Sequence, residues 1–275
     1  MTDERAQFEN PAPRAKSAGE RVRKILIVQT GSAGVLVPAH GDYPDWFRHA
    51  LNASDEEMPL LRAHAGEKLS PESLEAHGAQ GIIVTGSPLS VTSHEAWMAD
   101  LAGELRRAGE RGMPILGVCF GHQLFCEGSG VSVVKNPRGR EIGTVQVQLT
   151  EAGARDPLFA WTRAGSGNPG WAPDCEGGFV SVQATHVDAV YPIPAGATLL
   201  ASNENTPVQA LRFSETVASV QFHPELRPET MRDLIASRKE LLEKENLSAE
   251  QLAAGVRETR SGEILRAFAE QVRRA

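Results

Sequence analysis

No stretch of the 275-residue sequence stays apolar for the length that a membrane crossing needs, and the first residues, Met1-Thr2-Asp3-Glu4-Arg5, carry both charges with no apolar segment after them. A bilayer span takes about 20 predominantly apolar residues, and a secretory leader takes a shorter apolar core. The chain therefore reads as cytoplasmic, with no membrane partner. Cysteine is scarce as well: Cys119, Cys126 and Cys175 form no Cys-x-x-Cys pair and leave one thiol over. That pattern argues against a disulfide scaffold or a structural zinc site and suits a reducing compartment. Positive charge is not in excess, since 28 Lys and Arg face 35 Asp and Glu for a formal net charge of −7. No nucleic-acid partner is expected on those grounds. Gly-x-x-x-x-Gly-Lys-Ser/Thr is absent, so no phosphate loop of a synthetase is expected. Gly31-x-x-Gly34 stops short of Gly-x-Gly-x-x-Gly, which leaves dinucleotide binding as a weak alternative. Neither a metal nor a cofactor is called for.

At 41% hydrophobic residues the chain can bury a full core, in one large domain at least as readily as in two. Residues 1–22 are polar and without a sustained period, and they read as a flexible tail. Residues 24–29 form a β-branched run typical of a first central strand. The stripe of Tyr43, Trp46, Phe47 and Leu51 predicts a helix over 42–51 that packs on a sheet. A second strand is expected near 58–62 and a third over 81–85, broken sharply by Gly86-Ser87-Pro88, and a helix follows over 97–108. Alternation of this kind predicts a three-layer, doubly wound α/β fold on a mostly parallel sheet.

Further on, short β-rich stretches at 131–134, 143–149, 179–185, 197–201, 208–213 and 217–222 leave little room for helices, so an antiparallel extension is expected. The Gly/Pro-rich segment 164–178 reads as an exposed loop that carries Cys175. From Pro228 the chain reads as helical. Ile264, Phe268 and Val272 recur at four-residue spacing, a stripe that should dock on the body or on a second copy of the chain. The expected division is a domain over 23–235 and a C-terminal helical extension over 236–275.

The chemistry concentrates in Pro114-Ile115-Leu116-Gly117-Val118-Cys119-Phe120-Gly121-His122-Gln123-Leu124. A buried-strand run ends in a cysteine between two glycines, and a helix-compatible segment follows. That is the layout of a nucleophile elbow, in which a strained turn lifts the nucleophile clear of the sheet. At a helix N-terminus the macrodipole and free N–H groups favour a thiolate. A buried structural cysteine is the competing reading, but it has no need of such a turn. A nucleophile also needs a base, and the base an orienting group. Gln221-Phe222-His223-Pro224-Glu225 closes the last β-rich run, and proline keeps His223 extended so that His223 and Glu225 point to one side. His122 is the rival histidine, but a helical course from the elbow carries it away from the sulfur.

Gly117-Val118-Cys119-Phe120-Gly121-His122-Gln123, Thr85-Gly86-Ser87-Pro88 and Phe222-His223-Pro224-Glu225 together resemble the class I, triad-type glutamine amidotransferases. Similarity to stand-alone members, both glutaminases of the GMP-synthase type and γ-glutamyl peptidases, extends through Gly41-Asp42-Tyr43-Pro44-Asp45-Trp46, Glu141-Ile142-Gly143 and Thr185-His186-Val187-Asp188. The resemblance implies a flavodoxin-like sheet, with Cys119 as nucleophile, His223 as general base and Glu225 as its orienter. It further implies oxyanion donors from Phe120 and from the Gly86-Ser87 loop, with Gln123 against the bound glutamyl group. His186 and Asp188 look structural. The family often has Gly-Gly-Pro where this chain has Gly86-Ser87-Pro88, which puts a loop flip in doubt. The reaction so implied is hydrolysis of the γ-amide of glutamine, or of a γ-glutamyl bond, through a cysteine thioester. The alternatives are an ammonia-donating subunit for a separate synthetase and an idle binding or regulatory subunit.

Overall fold

The computed structural model describes residues 23–163, 172 and 175–275; the segment read as a flexible tail lies outside them. In chain order the strands are β1 (Lys24–Gln29), β2 (Leu60–Arg62), β3 (Ala79–Val84), β4 (Ile115–Val118), β5 (Val133–Lys135), β6 (Glu141–Leu149), β7 (Phe179–His186), β8 (Asp188–Val190), β9 (Thr198–Ser202), β10 (Ala210–Arg212) and β11 (Val217–Val220). The helices are α1 (Val37–His40), α2 (Tyr43–Leu51), α3 (Pro71–His77), α4 (Ala96–Glu110), α5 (Phe120–Gly128), α6 (Glu151–Arg155), α7 (Pro228–Ser237), α8 (Lys239–Lys244), α9 (Ala249–Gly255) and α10 (Glu263–Arg274). None of them is long and apolar enough to cross a membrane.

Nine strands join in the order β2-β1-β3-β4-β11-β10-β9-β6-β7, and β5 pairs with β8 apart from them. From β2 to β11 every neighbour is parallel, and from β11 to β7 every neighbour is antiparallel. The central strands are apolar on both faces because both faces are covered. Ile25 and Ile27 of β1 enter a core with Phe47 and Phe268, whereas Leu26 and Val28 enter a second core with Leu101, Leu105 and Leu124. The expected three-layer, mostly parallel α/β fold is the one observed.

Two sequence readings change. The stretch at 217–222 reads as part of the antiparallel extension, but β11 lies parallel to β4, with Val220 opposite Val118, and is the fifth parallel strand. Its other edge pairs antiparallel with β10, so it is the seam between the two halves. The loop at 164–178 was read as exposed. Of its described residues Ala172 and Cys175 are buried in the first core, with Leu158 and Phe159, while Glu176 and Gly177 are exposed as expected. The remainder of its tip, 164–171 and 173–174, lies outside the described residues.

The start of α2 is fixed by Asp42, whose side chain forms a capping box with Asp45 and also accepts from the Ala33 N–H at 2.7 Å and from Gln29 Nε2 at 3.0 Å. This one carboxylate therefore ties α2 to the loop after β1. The C-terminal stripe docks on the body of the same chain. Ile264, Phe268 and Val272 are all buried, and α10 lies so close to β3 that a Cβ on Gly81 would stand 2.4 Å from Val272 Cγ2. A third cluster gathers Tyr43 and Trp46 of α2 with Met231, Leu234 and Ile235 of α7 and Leu242 of α8. Phe268 is 1% exposed, so truncation to Ala should cost about 3–5 kcal/mol in urea-unfolding free energy. A loss below about 1 kcal/mol, the scale of a volume-conserving swap, would show that α10 is not part of the core.

Candidate active site

The last residue before α5 is Cys119, with φ 51° and ψ −97°. Residues with a Cβ seldom adopt positive φ, and such strain costs of order 1–3 kcal/mol unless the surroundings impose it. Here they do. The Cys119 N–H donates to the Val220 carbonyl at 2.9 Å, and its own carbonyl accepts from the Gln123 N–H at 3.0 Å. The two flanking glycines serve close approach. A Cβ on Gly117 would stand 2.8 Å from the Gly121 carbonyl oxygen, and one on Gly121 would stand 2.7 Å from the Val84 carbonyl oxygen. The turn is thus pressed against β3 and β11 with no space for a side chain on either flank.

Because β11 runs parallel to β4, its C-terminal end emerges beside this turn. His223 follows three residues later and is anchored by its N–H on the Gln183 carbonyl of β7 at 2.8 Å. Its Nδ1 donates to Glu225 Oε1 at 2.7 Å, and both side chains are buried. Nε2 of His223 is buried and hydrogen-bonded to nothing among the described residues. Burial alone would push the ring toward its neutral form, but the Glu225 carboxylate and the neighbouring Cys119 outweigh it and carry the pKa up to about 10. His122 behaves oppositely. It is sealed under the elbow with Nδ1 at 2.7 Å from Ser219 Oγ, and burial, helped by His186, pushes its pKa down to about 3. It is a neutral core histidine.

The loop after β3 lies against the imidazole: a Cβ on Gly86 would come within 2.7 Å of His223 Cε1 and 3.4 Å of Tyr43 Cε1. Thr30 Oγ1 donates to the carbonyls of Thr85 and Gly86 at 3.0 and 3.1 Å. Ser87 Oγ donates to the Thr30 carbonyl at 2.9 Å and accepts from the Leu89 N–H at 3.1 Å. Ser87 also explains Gly31, where a Cβ would stand 2.4 Å from its Oγ. No long helix starts at these glycines, since a 3-10 turn and the four-residue α1 follow β1, and the dinucleotide alternative loses its basis. Phe120 is buried, with its ring stacked on Trp97 at 6.0 Å between centroids. Gln123 is buried and donates Nε2 to the Asp188 carbonyl at 3.0 Å and to Gln221 Oε1 at 3.1 Å.

Three neighbours of the cysteine were not picked out from the sequence. Gln221 donates Nε2 to Cys119 Sγ at 3.7 Å; its place two residues before His223 was the available signal. Tyr43 was read as packing only, yet its ring lies beside Gly86 and His223, and burial together with Cys119 pushes its hydroxyl pKa up. Arg238 gave no signal at all. His186 and Asp188 sit away from the sulfur: His186 Nε2 meets the buried Glu141 carboxylate at 3.0 Å, and Asp188 accepts from Ser90 Oγ at 2.6 Å. A thiol on a strained turn beside an imidazole held by a carboxylate suits nucleophilic acyl transfer.

The two histidines give opposite pH signatures. His223 gains proton affinity on folding, so its contribution to stability is complete below pH 6.5 and fades as pH rises through about 10. His122 loses proton affinity, so its burial weakens the fold as pH falls from 6.5 toward about 3. Histidine NMR titration should find His223 protonated and His122 neutral across neutral pH. An ordinary titration of His223 near 6.5 would mean that Glu225 and Cys119 do not hold its proton.

Comparison with known proteins supplies the family. Residues 41–240 match the family model described as glutamine amidotransferase class-I. A GMP synthase (glutamine-hydrolysing) of Synechococcus is 33% identical over 212 residues, 77% of this chain but 34% of that protein, so the chain spans about a third of that relative. Gamma-glutamyl peptidase 5 of Arabidopsis thaliana is 24% identical over 216 residues, covering 78% of this chain and 80% of that one. In fold, a glutamine amidotransferase from Thermotoga maritima superposes with a TM-score of 0.68 at 18% identity, over 93% of this chain and all of that one. The matched segment contains the elbow, the loop at 85–88 and His223 with Glu225, and on that match the chain belongs to the class-I glutamine amidotransferase family.

Proposed function

We propose that the protein hydrolyses the γ-amide of glutamine or a γ-glutamyl bond, with Cys119 as nucleophile, His223 as proton carrier and Glu225 as the group that orients and charges the ring. The observation that carries this reading is the buried 2.7 Å contact between His223 and Glu225 beside a cysteine held at φ 51°. The sulfur attacks the γ-carbonyl carbon; the C–S bond forms and the carbonyl π pair moves onto oxygen. That oxyanion is received by the backbone N–H of Phe120, at the start of α5, and by an N–H of the Gly86-Ser87 loop. As the tetrahedral centre collapses, the C–N bond breaks and His223 gives its proton to the leaving nitrogen, releasing ammonia or an amine. Water then attacks the thioester while His223 takes its proton, the C–S bond breaks, and glutamate leaves. In this scheme Gln123 and Gln221 fix the floor of the acyl site, and Gln221 directs an N–H at the sulfur.

The same geometry favours a hydrolase that works alone over one that waits for a synthetase. Family members that feed a synthetase keep their oxyanion donors misplaced until the partner is engaged, a loop change that glycine permits easily. Here Ser87 has a Cβ, and its hydroxyl bridges the Thr30 carbonyl and the Leu89 N–H, which supports a loop fixed in one arrangement. The likeness to a gamma-glutamyl peptidase over 80% of that protein's length points the same way. The purified chain should therefore turn over glutamine or a γ-glutamyl amide by itself. Negligible turnover, rescued by a second protein and its nucleotide substrate, would favour the ammonia-donating reading suggested by the GMP synthase relatives.

A further inference from the structure

A cleft of about 200 Å³ lies beside the loop at 86–88, and Leu36, Tyr43, Trp46, Pro88, Leu234 and Arg238 are among its lining residues. Tyr43 joins it to the site, since the same ring that lines the cleft lies beside Gly86 and His223. Val35, also in its lining, is 79% exposed, an apolar side chain turned to water beside apolar neighbours. Drug-sized and nucleotide-sized ligands fill roughly 300–1,000 Å³, so this space suits a smaller group, one amino-acid residue in size.

Arg238 gives the cleft its chemistry. Among the described residues it forms no ion pair, and its one side-chain hydrogen bond goes from Nη1 to the Thr185 hydroxyl. The nearby cation, Arg140, is already held by Glu245 through bonds of 2.7 and 2.9 Å. A partly buried guanidinium without an anion is costly unless something supplies one, and its planar fork suits a carboxylate.

The direction of the reaction identifies which end of the substrate enters. His223 must hand its proton to the leaving nitrogen, so the amine half lies against the imidazole. The acyl half lies on the other side, toward Gln123. We propose that this cleft is a leaving-group subsite for a γ-glutamyl amino acid, whose apolar side chain rests among Leu36, Trp46 and Leu234 while its α-carboxylate pairs with Arg238. The inference rests on the hydrolase reading above and narrows it: the amine released carries a carboxylate and an apolar group.

The test compares γ-glutamyl-leucine, its C-terminal carboxamide and glutamine on the purified wild-type chain, on Arg238→Gln and on Arg238→Lys. In the wild type the free acid should exceed the carboxamide by about ten- to a hundredfold in kcat/KM, mostly through KM, as expected for one charge-assisted pair. Arg238→Gln should bring that ratio close to one, and Arg238→Lys should restore part of it. A wild-type ratio near one, or a ratio unchanged in Arg238→Gln, overturns the proposal. So does an equal loss on all three compounds, which would put Arg238 on the glutamyl α-carboxylate instead. If the wild type hydrolyses none of them, the hydrolase reading fails, and calorimetric binding to Cys119→Ala decides the subsite. Tighter binding of the free acid than of the carboxamide, lost in Cys119→Ala/Arg238→Gln, supports it; equal or absent binding overturns it.

Discussion

The structure depends on a close contact between backbones at Cys119. With Gly121 set against the Val84 carbonyl and Gly117 against the Gly121 carbonyl, the chain can leave β4 and enter α5 only through a tight turn, and the cysteine takes the strained position. The N–H bond from Cys119 to Val220 fixes that turn to β11. This explains why β11 must lie parallel to β4: an antiparallel strand there would direct the segment that follows toward the opposite edge of the sheet, far from the elbow. The parallel pairing brings His223 to the elbow, with Glu225 on its Nδ1, within five residues of the end of the strand.

The antiparallel half serves the same end from the other side. Strand β7 supplies the Gln183 carbonyl that anchors the His223 N–H. Where β6 and β7 meet β9 and β10, a buried Glu141 accepts from His186, Asn203 and Gln209. That carboxylate ties the strands of the extension together, a division of labour between two buried acids. Glu141 holds a fold, and Glu225 holds a proton on His223.

Much of this was readable in the amino acids. The runs of β1, β3 and β4 stand out because both faces of each strand are covered, so residues 25–28, 82–84 and 115–116 are apolar without alternation. The elbow stands out because a glycine on each side of a cysteine serves no purpose in an ordinary core. His223 and Glu225 were readable because proline separates two residues that then meet. Other features had no local signature. A four-residue strand such as β11 looks the same whether its neighbour is parallel or antiparallel, since pairing is set by long-range contacts. β8 is three residues long, too short to stand out as a run of its own. Cys175 sits in a glycine- and proline-rich stretch that reads as exposed, although its side chain is buried against Leu158 and Phe159. Arg238 lies at the end of α7, where a basic residue is ordinary, and only the folded chain sets it in the cleft with no ion-pair partner among the described residues.

On the proposed reading one cysteine, held at a strained turn next to a charged imidazole, carries the reaction. Its most direct test is to treat the purified chain at neutral pH with a glutamine analogue bearing a γ-chloroketone and to map the modified residue by peptide mass spectrometry. The account requires one label per chain, all of it on Cys119, with Cys126 and Cys175 untouched inside the core. Equal labelling of Cys126 or Cys175, or no labelling of Cys119, would contradict it.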